Sequence, residues 1–346
     1  MLLWDNFEYP RMSLDPRVHV IHYPRSLWEL QWYADAFDVL VWGGGAIIDD
    51  EQFSNDPFNI NTGNLFIHLS SLMLARKKCV LCLGLSTSER LADPQFTRKL
   101  EAVITGCDSF ALRDPLSIET LERCGIGVER VESCHDLVYA NRELRQLRTA
   151  RIGAEIPSER DGRSGDRPIT IAFVALCIES MREHYLSVLA DLCRADADYR
   201  IQLVPFGNLC REDHRYYRTL LDQLEASGTS TARLEIMEYE ENLSKLALTC
   251  CNFYISYKYH SALIANVLGI PGLAVCATSH AHYPNKMRYL AITCNYLDHL
   301  VEDASFERDA AATVAEHIEQ RGYPVVADAL LERADAWLSA TLERYC

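Results

Sequence analysis

The feature that most constrains the fold is a regular alternation between short β-rich runs and longer amphipathic stretches. In the first half of the chain, the runs typical of strands are residues 18–22, 39–42, 80–83 and 109–111. The stretches between them, residues 64–75, 94–105 and 115–124, carry apolar residues at helical spacing. This alternation predicts an α/β protein whose parallel sheets are covered by helices on both faces.

The alternation stops once, at residues 151–167, which read RIGAEIPSERDGRSGDR. Charge and glycine without large apolar residues are typical of a linker. We therefore expect a first lobe at residues 1–155, a linker at 156–167 and a second lobe at 168–325. In that second lobe the predicted strands are 169–174, 201–206, 234–237, 253–257 and 273–276, and the predicted helices are 181–194, 214–226, 240–248 and 260–268. The segment 326–346 is predicted to form a C-terminal helix.

Length and charge narrow the class of protein. A chain of 346 residues exceeds the usual size of one hydrophobic core, so two domains are expected. The 49 acidic and 34 basic residues give a net charge of −15, which argues against a nucleic-acid binder but leaves room for a small anion in a local cationic pocket. No apolar run reaches the roughly 18 residues of a membrane span, and the first residues do not resemble a signal peptide. The sequence therefore predicts a cytoplasmic protein.

The 13 cysteines are odd in number and scattered along the chain, which favours reduced thiols over a disulfide framework. Cys79 and Cys82 have the spacing of a redox or metal pair, but they lie in an apolar strand-like run and are interpreted as buried strand residues. His280 and His282 have no evident third ligand, so no metal site is predicted.

Two segments of the first lobe are candidates for ligand binding. Gly43, Gly44 and Gly45 follow a buried run and precede Asp49 and Asp50. Glycines beyond a strand can bring backbone amides close to a ligand, or they can form a tight strand-to-helix turn; neither a Walker loop nor a dinucleotide fingerprint is present.

The second segment is Arg113-Asp114-Pro115, which follows a strand and starts a helix. Asp114 fits a helix cap, and Arg113 either binds substrate or pairs with an acid. Further on, Asp136 follows a short strand predicted at residues 128–131, and it is either a cleft acid or a solvated loop residue.

The strongest signal lies at the end of the predicted strand 253–257. Lys258 and His260 occupy alternate positions where an apolar helix begins. Unpaired amides and the positive end of the helix dipole meet two basic side chains there, a combination suited to phosphate or carboxylate. The alternative is a surface lysine and a histidine that caps the helix. Lys286 and Arg288, in a loop predicted after the next strand, could add cationic contacts.

Taken in chain order, these segments resemble the polysaccharide pyruvyl transferase family. The resemblance spans residues 38–288 and rests on these positions: Asp38 with Gly43 to Gly45, Leu112-Arg113-Asp114 with Ser117, Asp136, Ser256 with Lys258 and His260, Gly269 with Pro271, and Lys286. It implies a GT-B-like fold of two facing Rossmann-like lobes. It also implies transfer of a pyruvyl group from phosphoenolpyruvate to hydroxyls of a sugar or polysaccharide precursor, with no metal or redox cofactor. Peripheral contact with a lipid-linked acceptor is left open.

The resemblance also implies roles for single residues. Lys258, Ser256, Ser261 and the helix start at His260 are expected to bind the donor anion. His260 is also a candidate general acid, because histidine titrates near neutral pH. Lys286 and Arg113 are expected to make secondary contacts with the donor. The remaining substrate-binding candidates are Gly43, Gly44 and Gly45. The candidate bases are Asp49, Asp50 and Asp136.

The sequence departs from the family pattern in two places. Lys258 stands where the family usually has arginine, which keeps the charge but loses the planar fork. The segment at Trp4-Asp5-Asn6 does not match the family's opening Gly-x-x-Asn-x-Gly-Asp loop, so the first lobe is expected to lack its first strand–helix unit, either because the start is truncated or because the lobe is remodelled. Two alternatives follow: a nucleotide-sugar glycosyltransferase on the same fold, or a non-catalytic member with a decayed site.

Overall fold

The computed structural model describes residues 24, 26–50, 53, 62–88, 90–153, 168–196, 198–206, 210–238, 248, 250–278, 283–294, 297–319 and 326–345. The predicted strand 18–22, the linker 156–167, nearly all of the helix predicted at 240–248, the opening segment of the chain and both His280 and His282 lie outside these residues. The chain forms two compact units. One contains residues 21–141 and 328–346, and the other contains residues 142–327.

In the described residues the first unit has one sheet of four parallel strands, in the order β1-β2-β3-β4. The strands are β1 (Val39–Ile48), β2 (Cys79–Thr87), β3 (Ser109–Leu112) and β4 (Val131–Ser133). The helices are α1 (Leu27–Ala36), α2 (Thr62–Ala75), α3 (Pro94–Gly106), α4 (Pro115–Arg123), a short 3-10 helix at Leu137–Ala140 and the C-terminal helix, α12 (Asp328–Tyr345).

The core of the first unit forms because alternate strand residues face the apolar sides of the helices. Val80 and Phe110 belong to one buried cluster with Phe66 of α2 and Leu100 of α3. Asp93 caps α3 by accepting hydrogen bonds from the amides of Gln95 and Phe96, so the helix starts at Pro94. The C-terminal helix α12 packs against the 3-10 helix at Leu137–Ala140.

The part of the second unit that the structure describes forms a parallel sheet of six strands, in the order β10-β9-β8-β5-β6-β7. The strands are β5 (Ile169–Val174), β6 (Tyr199–Leu203), β7 (Leu234–Ile236), β8 (Phe253–Ser256), β9 (Gly272–Cys276) and β10 (Leu300–Glu302). The helices are α5 (Arg142–Gly153), α6 (Arg182–Arg194), α7 (Cys210–Ala226), α8 (Tyr259–Val267), α9 (Tyr283–Thr293), α10 (Asp303–Arg308) and α11 (Ala310–Glu319), with 3-10 turns at Glu179–Met181 and Leu297–His299.

The strand order of the second unit creates a topological switch point. The chain runs from β5 outward through β6 and β7, then crosses to the other side of β5 and runs outward through β8, β9 and β10. The loops after β5 and β8 therefore leave the sheet in opposite directions, and a crevice forms between them at the carboxyl ends of the strands.

The predicted α/β class with parallel sheets is confirmed, and the predicted strands and helices of the described residues are found with shifted ends. The predicted strand 128–131 is wrong, because β4 begins at Val131. The predicted loop holding Lys286 and Arg288 is also wrong, because these residues lie in α9. Pro284 is the second residue of this helix, a position at which proline is tolerated.

The glycine triplet lies within a strand and not, as predicted, beyond the end of one. The strand was predicted to end before Gly43, but β1 continues through the glycines to Ile48. Pairing with β2 sustains it, since Gly43 lies opposite Leu83 and Gly45 opposite Leu85. Gly44 and Gly45 have positive φ, and the register of the pair shifts after Gly45, so the triplet makes an irregular strand and not a turn.

Candidate functional site

At the switch point, β8 passes into α8 through a closed ring of hydrogen bonds. The amide of Lys258 donates to Oγ of Ser256 (3.1 Å), the Ser256 and Ser261 hydroxyls are hydrogen-bonded, and Oγ of Ser261 donates to the carbonyl of Lys258 (2.9 Å). Both serines are fully buried. Their hydroxyls therefore fix the turn that carries Lys258. Ser256 and Ser261 were expected to bind substrate, and the contacts that the structure shows for them are these hydrogen bonds within the turn.

The side chain of Lys258 is held by an acid that sequence reasoning missed. Its Nζ donates to Oδ2 of Asp213, in the first turn of α7, at 2.9 Å. The Lys258 side chain is 17% exposed and that of Asp213 is 8% exposed. The same Asp213 oxygen accepts from the amide of Phe206, just beyond β6, at 3.0 Å. The pair thus connects the carboxyl ends of β6 and β8.

Cys177 occupies the loop after β5 next to this pair. Its φ is 35°, in the left-handed region that side chains rarely adopt. Burial raises the pKa of the Cys177 thiol, with Lys258 lowering it and Asp213 raising it. A thiol held protonated in this way is a poor nucleophile, so we assign it no chemical role.

The first turn of α8 is the part of this site best suited to an anion. Its cap residue is Lys258, and the lysine side chain accepts no hydrogen bond from the helix amides because it carries no acceptor atom. The adjacent His260 is exposed in the first turn. A helix N-terminus without a side-chain acceptor presents N–H groups and the positive end of the helix dipole in one place. Asp213 balances the charge of Lys258 there, and His260 is the second basic residue.

Behind this turn lies a buried polar chain. The hydroxyl of Tyr257 is 2.7 Å from Nε2 of His184, whose Nδ1 is 3.2 Å from Glu307. Tyr257 is fully buried, and burial raises the pKa of its phenol, with Tyr185 and Asp303 adding to the effect. These hydrogen bonds anchor Tyr257, the residue before Lys258, from the opposite face of the sheet.

Lys286 lies in α9, which packs against α8, and its side chain is half-buried. Arg288 lies two residues further along the same helix and is exposed. The structure therefore places Lys286 on the helix next to the candidate anion site of the second unit.

In the first unit, Arg113 and Asp136 form a buried ion pair at the carboxyl ends of the strands. Nη1 of Arg113 lies 2.5 Å from Oδ2 of Asp136, and Nη2 donates to Oγ of Ser86 at 3.1 Å. The two residues are 4% and 5% exposed. Asp136 also accepts from the amide of Val138 at 3.0 Å. Of the two interpretations of Arg113, the structure shows the one in which it pairs with an acid.

Asp114 caps α4, as the spacing predicted. Its Oδ1 accepts from the amide of Ser117 at 2.8 Å, and its Oδ2 accepts from the hydroxyl of the same serine at 2.9 Å. The Ser117 hydroxyl in turn accepts from the amide of Thr87 at 2.9 Å. This motif of the family therefore joins the ends of β2 and β3.

The glycines and acids of β1 are placed by packing. A Cβ on Gly43 or Gly44 would make only an ordinary contact, 3.8 Å from a methyl of Leu137, so the positive φ of Gly44 and Gly45 is what favours glycine here. Asp49 is half-buried directly after β1. Asp50 accepts hydrogen bonds from the amides of Ala92 and Asp93, the latter at 2.6 Å.

Within the part of the chain that the structure describes, no group of three or more His, Cys, Asp or Glu side chains could hold a metal ion. The eleven cysteines whose side chains are described are free thiols, and Cys82 is buried as predicted. None of the described helices combines the length and apolar character needed to cross a bilayer.

Comparison with known families identifies the class of protein. The family profile described as "Polysaccharide pyruvyl transferase" matches residues 3–280. The chain therefore belongs to the polysaccharide pyruvyl transferase family, whose members are enzymes that act on glycans. No curated protein matches the chain.

Solved structures extend the likeness to the fold. The UDP-GlcNAc 2-epimerase of Neisseria meningitidis bound to UDP-GlcNAc has a TM-score of 0.57 at 13% identity, over 92% of this chain and 80% of that one. The UDP-GlcNAc 2-epimerase of Methanocaldococcus jannaschii has a TM-score of 0.52 at 11% identity, over 95% of this chain and 86% of that one. At such identities the likeness shows the fold alone, and it confirms the predicted GT-B-like class.

Proposed function

We propose that the protein transfers a pyruvyl group from phosphoenolpyruvate to hydroxyls of a glycan, and that the donor binds at the start of α8. The observation that carries the proposal is the helix N-terminus at the switch point, capped by Lys258 and followed by His260. The phosphate and carboxylate of phosphoenolpyruvate are the anions such a site prefers. The membership of the pyruvyl transferase family supports the same donor.

The reaction divides into steps that this site can serve. A proton from His260 adds to the methylene carbon, and an acceptor hydroxyl forms a bond to the adjacent carbon as its own proton leaves. The C–O bond to phosphate then breaks, phosphate departs with its electron pair, and a second hydroxyl closes the ketal as it loses its proton. Lys258 and the amides of α8 stabilise the negative charge that grows on the leaving phosphate.

The acceptor hydroxyls also need a base. We propose a carboxylate for this role, and Asp49, half-buried directly after β1, is the first candidate to test. Asp136 then serves to orient Arg113. Asp49 to Ala is expected to lower kcat and to leave the KM for phosphoenolpyruvate unchanged.

The test follows phosphate release from phosphoenolpyruvate with candidate glycans. His260→Ala is expected to lower kcat by about 100-fold, the usual contribution of a general acid. Lys258→Ala is expected to raise the KM for phosphoenolpyruvate by about tenfold or more. Arg218→Ala, which removes an exposed charge from α7 in the same unit, is the matched control and should leave both parameters unchanged.

Three results would count against the proposal. Release of phosphate by His260→Ala and Lys258→Ala at the rate of the unaltered protein would remove the site assignment. Thermal stabilisation by UDP but not by phosphoenolpyruvate would favour the nucleotide-sugar transferase instead, since structures of the same fold are described with UDP-GlcNAc bound. Binding of phosphoenolpyruvate without turnover on any acceptor would favour the non-catalytic alternative.

A further inference from the structure

Asp213 is the one acid that the structure shows in direct contact with Lys258, and an acid at a site for anions opposes their binding. Its carboxylate lies 2.9 Å from Nζ of Lys258, and both side chains are largely buried. The amide of Phe206 donates to the same carboxylate oxygen at 3.0 Å and so holds the acid next to the lysine. A fixed negative charge is therefore present beside any anion that Lys258 binds.

The distance between this carboxylate and a bound anion follows from the ion pair. A hydrogen bond from Nζ of about 2.9 Å, added to the 2.9 Å of the pair, places the contacting atom of the anion at most about 6 Å from Asp213. Coulomb energy falls inversely with distance, so Asp213 cancels about half of the attraction that Lys258 exerts. At an effective dielectric constant of about 20–40, this repulsion weakens binding by about 10- to 100-fold per unit of anion charge.

The thiol of Cys177 supports the view that both charges act in the same crevice. Burial is the main cause of the raised pKa of this thiol, while Lys258 lowers the pKa and Asp213 raises it further. The dipole of α8 is not offset in this way, because no side chain caps the helix amides. The site therefore attracts an anion more through N–H groups and less through net charge than its lysine alone suggests.

We infer that Asp213 is a specificity-determining residue of the proposed donor site, which lowers the preference for doubly charged over singly charged oxyanions by about tenfold or more. Inorganic phosphate is the product of the proposed transfer, so this role rests on the proposed function. Phosphate has charge but lacks the enolpyruvyl group of the donor. A fixed acid thus weakens the product more than it weakens a donor that makes further contacts, and it eases product release.

The experiment compares two tetrahedral oxyanions that differ by one charge, sulfate and methanesulfonate, each titrated into the full chain. Binding is followed through the imidazole C–H NMR signal of His260, which is identified by its loss in His260→Ala. Asp213→Asn is expected to raise the ratio of sulfate affinity to methanesulfonate affinity by about tenfold or more, because the lost repulsion acts twice on sulfate and once on methanesulfonate. Asp222→Asn, which changes an exposed acid of the same helix, is the matched control and should leave the ratio unchanged.

A second pair of variants separates charge from positioning. Lys258→Met should lower the ratio, and the addition of Asp213→Asn to Lys258→Met should raise it again by about tenfold or more. If Asp213 acted only by holding Lys258 in place, its replacement would lower the ratio when the lysine is present and would not change it in Lys258→Met. The double variant contains no unpaired buried charge, so this comparison decides the inference if Asp213→Asn alone does not fold.

Two results would overturn the inference. One is a ratio that is unchanged or lower on replacement of Asp213 in either background, and the other is a His260 signal that responds to neither anion. Phosphoenolpyruvate provides a separate test of the proposed function. If sulfate shifts the His260 signal with the expected ratios and phosphoenolpyruvate does not shift it, the donor assignment fails while the role of Asp213 in charge selectivity is confirmed.

Discussion

The Lys258–Asp213 pair permits a quantitative test of the candidate donor site. Two unit charges 2.9 Å apart attract by about 6 kcal/mol at an effective dielectric constant of about 20. The cost of removing both groups from water offsets part of this, and loss of one partner of a buried pair destabilises by about 3–5 kcal/mol. Because the Lys258 side chain keeps 17% exposure, we expect Asp213→Asn to cost about 3 kcal/mol. Asparagine can still accept from the Phe206 amide.

The assay is a double-mutant cycle. Lys258→Met should cost at least as much as Asp213→Asn, since it leaves the more deeply buried carboxylate without its cation. The double variant should recover much of the loss, with a coupling energy of about 2–3 kcal/mol. Salt should change this coupling little, because the pair is shielded from solvent ions.

The chain offers an internal control for this measurement. Its five tryptophans are at positions 4, 28, 32, 42 and 337, and none belongs to residues 142–327. Hydrogen exchange of peptides from residues 142–327 should therefore report the destabilisation. In a Trp4→Phe background, the fluorescence of the other four tryptophans reports the unit of residues 21–141 and 328–346 and should change less. A coupling energy below about 0.5 kcal/mol would refute the pairing.

Two further predictions concern packing and pH. Gly84 has φ 66°, and a Cβ there would lie 2.9 Å from Cγ of Leu137, so Gly84→Ala should cost about 3 kcal/mol in a urea titration. Gly125 has φ 74° with nothing within 4 Å, so Gly125→Ala should cost about 1 kcal/mol, and equal losses would contradict the steric argument. Burial raises the pKa of Cys134 and Cys251 from 9.0 to about 12, so the stability they confer is complete below pH 9 and is lost as the pH rises toward 12. Replacement of Cys251 by alanine should reduce that alkaline slope of the urea midpoint, and an unchanged slope would contradict it.

Local pattern was enough to predict most of the fold. Strands such as Ile169–Val174 are short apolar runs bounded by polar residues, and the helices between them show clear amphipathic spacing. The cap at Asp114 followed from three consecutive residues. These features depend on neighbours in the sequence, so a single sequence reveals them.

The parts that could not be predicted depend on contacts between distant segments. Asp213 lies 45 residues before Lys258 and shares α7 with other charged residues, so no local signal distinguishes it. The glycine triplet was compatible with a ligand loop or a tight turn, and only the pairing of Gly43 and Gly45 with β2, about 40 residues away, shows that it belongs to an irregular strand. Arg113 and Asp136 were both identified, but their pairing at 2.5 Å required the structure.

The Lys258–Asp213 pair changes the interpretation of the departure from the family pattern at position 258. Lysine was expected to be a weaker substitute for arginine at position 258, because it lacks a bidentate fork. In the structure the lysine is part of a pair, and its ammonium has three N–H donors, of which Asp213 takes one. A planar arginine fork would turn both of its parallel donors toward the two oxygens of that same carboxylate. A point charge can instead hold the acid and still direct its other donors to an anion bound at the first turn of α8. The lysine is therefore consistent with a working anion site, provided that Asp213 is present to fix it.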